Sequence, residues 1–274
     1  MARPALSKDT TVCISLAARP TNIGTRFHNY LYEQLGLDFL YKAFSTSDIA
    51  AAIGGVRALG IRGVSVSMPF KQDVLGLVDH VEPSARAINA VNTVVNDAGV
   101  LTASNTDYLA IEQLIESHGL VPDATVLLCG SGGMASAVGT AFRDSGFQSG
   151  VVIARNPVAG PALAERLGYR WRPHVGGATA SIVINATPIG MAGAAEERDS
   201  PFGETAIAAA DTVFDVVAVP AETPLIAAGR AAGKRVITGA EVIALQAAEQ
   251  FARYTGVRPS AEQVAEAAAF SRGT

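Results

Sequence analysis

Short β-branched and apolar runs alternate along this chain with longer stretches whose apolar positions recur at helical spacing. TVCISLA (11–17) reads as a strand, and residues 25–35 then suit a helix, with Phe27, Tyr30, Leu31 and Leu35 on one face. DFLYKAF (38–44) is a second strand, followed by a helix capped by Ser47 or Thr46 that runs to about Leu59. GVSVS (63–67) is a third strand, ended by Pro69. VNTVVNDAGVLTAS (91–104) reads as a hairpin, because Asn96-Asp97-Ala98-Gly99 places turn residues between two β-branched runs. A helix over about 107–118 ends near Gly119, and after Pro122 the alternation restarts. Strands at 125–129, 150–154, 181–185, 213–217 and 234–238 are interleaved with helices at 133–145 and about 159–167, and 240–272 is helical. Strands alternating with helices predict an α/β fold with a mainly parallel sheet.

Length changes this picture from one core to two. A chain of 274 residues suits two domains. Breaks near Asn105–Tyr108 and Thr238–Gly239 divide it into 1–106 with 239–274, and 107–238. Hydrophobic residues make up 49% and charged residues 17%, which predicts folded domains rather than disorder. A net charge of −4 without a Lys/Arg cluster argues against a nucleic-acid partner. Neither a signal-peptide core nor a run of about 18 apolar residues is visible. A cytoplasmic protein acting on a small molecule, as a monomer or homodimer with no membrane partner, is the expectation. Cys13 and Cys129 lie inside apolar strands and read as reduced, buried thiols. The four histidines lack metal-ligand spacing, so no metal is expected, and no GxSxG elbow or Cys/His pair suggests nucleophilic catalysis.

The candidate chemistry begins at Gly130-Ser131-Gly132-Gly133-Met134-Ala135, which follows an apolar strand and opens a helix. In that setting glycines let a pyrophosphate approach the backbone, and the helix N-terminus points N–H groups at it. The GxGGxA spacing is a variant of the dinucleotide fingerprint, and alone it also fits simple tight packing. The next strand runs into Ala154-Arg155-Asn156 with no carboxylate for a ribose 2′-hydroxyl. Arg155 offers a forked cation suited to a 2′-phosphate, so NADP is favoured over NAD.

Hydride transfer between an alcohol and a ketone also needs a group that exchanges the hydroxyl proton. Lys71 follows a strand at a helix start, and Asp107 stands at a helix N-cap. Alone, Lys71 reads equally as a solvated lysine and Asp107 as a cap. The strings SVSMPFK, AVNTVV, SNTDY, GSGGMASA, INATPIGM, FDVVAVPAETPL and TGAEVIALQAAEQF, however, resemble in order the motifs of the shikimate dehydrogenase family. The resemblance covers nearly the whole chain. It implies a substrate domain built from both chain ends, a Rossmann domain between them, and a site in the cleft between the two. It also implies that Lys71 and Asp107 are the catalytic pair, and that Ser67, Asn92 and Gln246 bind substrate. Gly130, Gly132 and Gly133 with their loop neighbours, Arg155, Asn185, Ala186, Thr187 and Gly239 would bind NADP.

The sequence departs from the family at the carboxylate end. The family's SxSPxxHN stretch, whose serines hold the substrate carboxylate, corresponds to residues 22–29, where Asn22 and Gly24 replace the serines and His28-Asn29 are kept. A tyrosine common after the VFD motif is replaced by Val217-Ala218, and the second cofactor arginine is Ala159. Three readings stay open: a shikimate dehydrogenase, a dehydrogenase of quinate or another cyclic polyol acid, and a dinucleotide-binding regulatory protein without turnover.

Overall fold

Each apolar run becomes a strand where it can be covered on both faces, and the computed structural model describes this over residues 3–273. The chain forms two compact units. The first runs through Thr106 and resumes at Ala244, and the second is Asp107–Ile243.

In the first unit β1 (Thr11–Ala17), α1 (Ile23–Gln34), β2 (Phe39–Ser45), α2 (Ile49–Ala58) and β3 (Gly63–Val66) precede β4 (His80–Val81) and α3 (Pro83–Ile88). The hairpin β5 (Thr93–Asp97) and β6 (Val100–Ser104) follows. The six strands form one sheet in the order β2-β1-β3-β5-β6-β4, with β3/β5 and β5/β6 antiparallel. The hairpin turns on Ala98 and Gly99, both at positive φ, and the Asn96 side chain accepts from the Gly99 amide at 2.8 Å. The cap of α2 is neither Ser47 nor Thr46. Asp48 immediately precedes the helix and accepts from the Ala51 amide at 2.9 Å, while the Thr46 hydroxyl accepts from the Asp48 amide.

Successive residues of β1 feed opposite faces of this sheet. Ile14 and Leu16 join Ile53, Val56, Val64, Phe70 and Leu101 in one core. Cys13 joins Phe27, Leu31, Tyr32, Tyr41, Phe251 and Tyr254 in the other. The second core is completed by α9 (Gly239–Thr255) and α10 (Ala261–Arg272), so the helical tail is two helices. Both cysteines are free and buried, and burial pushes the Cys13 thiol up to about 12.

The second unit starts with α4 (Thr106–Ser117), then β7 (Val126–Cys129), α5 (Gly133–Asp144), β8 (Gly150–Ile153), α6 (Ala159–Leu167) and β9 (Arg170–Arg172). It continues through β10 (Ile182–Asn185), α7 (Glu204–Ala209), β11 (Thr212–Asp215), α8 (Pro224–Ala231) and β12 (Arg235–Ile237). All pairings are parallel, in the order β12-β11-β10-β7-β8-β9, the doubly wound Rossmann arrangement. The winding reverses between β7 and β10, and ligands of such sheets bind at the carboxyl ends of those strands. Trp171 lies on the edge strand β9, with its indole N–H donating to the Ala154 carbonyl at 3.1 Å. Among the described residues no helix is long and apolar enough to cross a membrane, and no group of three or more His, Cys, Asp or Glu is arranged for a metal.

Candidate active site

The backbone places Lys71 firmly. Phe70 is buried in the first core, its amide donates to the Ser67 carbonyl at 3.1 Å, and the Lys71 carbonyl accepts from the Val91 amide at 2.6 Å. Ser67 itself is exposed at the end of β3, its amide held by the Leu16 carbonyl at 2.9 Å.

Next to Val91, Asn92 is almost completely buried and sits at the centre of a polar network. Its Oδ1 accepts from the Thr106 amide at 2.7 Å, the Thr106 hydroxyl at 3.1 Å and the Thr93 hydroxyl at 2.8 Å. The Thr106 hydroxyl also lies 3.3 Å from Gln246 Oε1. Gln250 Nε2 reaches the Thr93 hydroxyl at 3.0 Å and the Ser65 hydroxyl and Asn92 carbonyl at 3.3 Å. Sequence reasoning singled out Asn92 and Gln246 but missed Thr93, Thr106, Ser65 and Gln250. The available signal was spacing: Gln250 is one helical turn beyond Gln246 on the same face of α9. Asp107 is buried and lies within the first turn of α4, which begins at Thr106, so it is not the N-cap. A carboxylate there is favoured by the helix dipole.

In the second unit the loop 130–135 leaves β7 and enters α5, with Gly132 at the N-cap and no side chain capping the helix amides. Gly130 has φ +122°, and a Cβ there would sit 2.7 Å from the Ala186 carbonyl oxygen, so this glycine lets the ends of β7 and β10 meet. Gly132 and Gly133 are different: a Cβ at either would meet nothing within 4 Å. Tight packing therefore does not account for these two, whereas open backbone amides at a helix start fit a pyrophosphate. Ser131 and Met134 flank them half-buried, and Ala135 is buried.

Asn185 and Thr187 shape the facing loop. Asn185 Oδ1 accepts from the Thr187 hydroxyl at 2.6 Å and amide at 3.0 Å, and its Nδ2 donates to the Ile189 carbonyl at 2.9 Å and to Asp215 Oδ1 at 3.0 Å. The Ala186 amide donates to the Cys129 carbonyl at 2.8 Å, tying this loop to the glycine turn. Arg155 is largely exposed and forms an ion pair with Glu196 at 3.2 Å. Gly239 starts α9 against the carbonyls of Val216 and Val217, and an added Cβ would collide with that backbone. Gly239→Ala is expected to cost about 1–3 kcal/mol of stability, read as a lower Tm in thermal unfolding; an unchanged Tm would mean the backbone yields freely there.

In α1, Asn22 is an exposed N-cap whose side chain makes no capping bond. Gly24 lies in the first turn, facing Tyr41. His28 is fully buried and stacks on Tyr41 at 4.3 Å between ring centroids, and burial pushes its pKa down to about 3. Asn29 donates to the Thr25 and Tyr41 carbonyls at 2.8 and 2.7 Å and accepts from the Tyr41 amide at 3.1 Å. His28 and Asn29 therefore fasten α1 to β2.

Residues 23–94 match the family model of the shikimate dehydrogenase substrate binding domain. A shikimate dehydrogenase-like protein of Haemophilus influenzae is 54% identical over 267 residues, covering 97% of this chain and 98% of its own. A shikimate dehydrogenase (NADP(+)) of Pyrococcus abyssi is 33% identical over 240 residues, covering 86% of this chain and 88% of its own. The chain belongs to the shikimate dehydrogenase family. A solved shikimate 5-dehydrogenase of Thermus thermophilus, in complex with NADP(H) and shikimate, shares the fold with a TM-score of 0.84 at 29% identity, covering 95% of this chain and 99% of that one.

Within this family of oxidoreductases the chain fits a divergent, shikimate-dehydrogenase-like branch. The two missing serines have a structural counterpart here. Gly24 lacks a positive φ, and a Cβ on it would lie 3.6 Å from the Tyr41 hydroxyl, an ordinary contact. Serine therefore fits at 24, and glycine is not required there by the backbone.

Proposed function

We propose that this chain is an NADP-dependent oxidoreductase that interconverts shikimate, or a cyclic polyol acid close to it, with its 3-keto form by hydride transfer. The observation that carries the reading is the buried network around Asn92, which a packed core has no need of. Thr106 of this network directly precedes Asp107, and Val91, which precedes Asn92, is bonded through its amide to the Lys71 carbonyl.

In this reading Lys71 takes the proton of the reacting hydroxyl during oxidation and returns it to the ketone oxygen during reduction. Its charge stabilises the alkoxide that forms between those states. Asp107 is the partner carboxylate that fixes the position of the lysine. Asn92, Gln246 and Ser67 orient the ring hydroxyls. NADP, when bound, supplies or accepts the hydride. Gly132 and Gly133 present open amides to its pyrophosphate, and Arg155 holds its 2′-phosphate.

Gly24 leaves more room at the carboxylate end than a serine would, and this admits a second substrate, quinate or another polyol acid. Assaying the purified protein with shikimate and quinate, each with NADP and NAD, tests the reading directly. No turnover in any of the four combinations would sink it. Restoring the serines, Asn22→Ser with Gly24→Ser, is expected to lower KM for shikimate about 5- to 30-fold with little change in kcat, from about 1–2 kcal/mol of recovered hydrogen bonding. A folded double variant with unchanged KM would show that this end of α1 does not hold the carboxylate.

A further inference from the structure

We propose that Glu196 sets the cofactor preference of this protein: its carboxylate competes with the NADP 2′-phosphate for Arg155. The inference rests on the reading above, in which Arg155 is the phosphate-binding cation. The two side chains meet fork to fork, Arg155 Nη1 with Glu196 Oε1 at 3.2 Å and Nη2 with Oε2 at 3.4 Å. This is the two-pronged face a guanidinium offers to a phosphate, so both anions want the same donors.

Glu196 is held where it stands. Its carbonyl accepts from the Gly190 amide at 2.9 Å and from the Asp199 amide at 3.2 Å, closing the loop that follows the Asn185-Ala186-Thr187 segment. Both charges are also felt at the Cys129 thiol, which Arg155 pulls down and Glu196 pushes up against the larger effect of burial. Cys129 ends β7 immediately before Gly130, so the ion pair lies by the phosphate loop.

The consequence is a neutral pair where an NADP site profits from net positive charge. Position 159, where the family resemblance places a second cofactor arginine, is alanine and adds no cation. A 2′-phosphate must displace Glu196 and then sit near its carboxylate, whereas the 2′-hydroxyl of NAD can donate to that carboxylate undisturbed. Side-chain exposures of 74% for Arg155 and 40% for Glu196 make this a weak, screened pair. It lowers the preference for NADP without blocking it.

Calorimetric titration of the full chain with NADP and with NAD, without substrate, tests this. Glu196→Gln is expected to tighten NADP about 3- to 10-fold and to leave NAD unchanged or weaker, and raised salt should shrink the gain. Arg155→Ala should weaken NADP at least about 10-fold and spare NAD. If Arg155→Ala weakens NADP while Glu196→Gln changes nothing, or tightens both cofactors alike, the role of Glu196 is wrong and that of Arg155 stands. If Arg155→Ala leaves NADP binding intact, both roles are wrong. A wild-type protein that binds neither dinucleotide would overturn the functional reading together with this one.

Discussion

Lys71→Ala is expected to lower kcat by at least about 100-fold, the usual contribution of a positioned acid–base group, with KM changed far less. The fold should survive. Residue 71 is held by its own carbonyl, through the Val91 amide, and by the burial of neighbouring Phe70, and truncating the side chain touches neither. Lys71→Arg separates charge from proton transfer: arginine keeps the cation but does not give up its proton near neutral pH, so kcat should stay low. Steady-state rates for both variants, beside a thermal melt, decide the matter. If Lys71→Ala kept near-native kcat while Asp107→Ala abolished turnover, Asp107 alone would be the base.

Asp215→Ala carries the second large effect, on stability. The Asp215 carboxylate is fully buried and accepts from the Thr223 hydroxyl at 2.7 Å, Asn185 Nδ2 at 3.0 Å and the Val217 amide at 3.0 Å. Truncation strands three buried donors and leaves a small cavity, for a cost of about 3–4 kcal/mol at pH 5. Burial outweighs those hydrogen bonds and raises the Asp215 pKa to about 6. The native state therefore keeps this proton to higher pH than the unfolded chain, whose aspartates titrate near about 4. The associated stability is fully present below that lower value and is lost as pH rises through about 6. The penalty of Asp215→Ala should accordingly shrink between pH 5 and 8. Urea melts of wild type, Asp215→Ala and Asp215→Asn across this range test it, and parallel pH profiles for all three would mean the group titrates normally.

How much was legible in the sequence follows from what kind of signal each feature leaves. The strands β7, β10 and β11 are buried at every position, and such strands read as unbroken apolar runs. The two-residue β4 and six-residue α3 are too short to show a period. The start of α8 does leave a local mark, Thr223 capping before Pro224, but one too brief to stand out without the helix behind it. At the site, residues inside contiguous motifs were visible as strings. Tyr41 and Glu196 were not, because each matters through neighbours distant in sequence, and Gln250 stood inside the closing string with nothing to mark its partners Ser65 and Thr93. Tyr41 reads as an ordinary strand aromatic until Gly24 is seen beneath it, and Glu196 as a solvated loop charge until Arg155 is seen opposite.

The helix α9 starts within the second unit and finishes in the first, so one unit is threaded into the chain of the other. During synthesis this imposes a sequence of events. All six strands of the parallel sheet have emerged by Ile237, and that sheet can close on itself. The core between the earlier-made sheet and α1, which holds Cys13, Tyr32 and Tyr41, must wait for completion until Phe251, Tyr254 and Ala267 arrive from α9 and α10. Tyr254 even fills the space beside Gly63 that any larger residue would occupy. The part of the protein translated first is thus the last to be sealed, its second core staying open until α9 and α10 have been made.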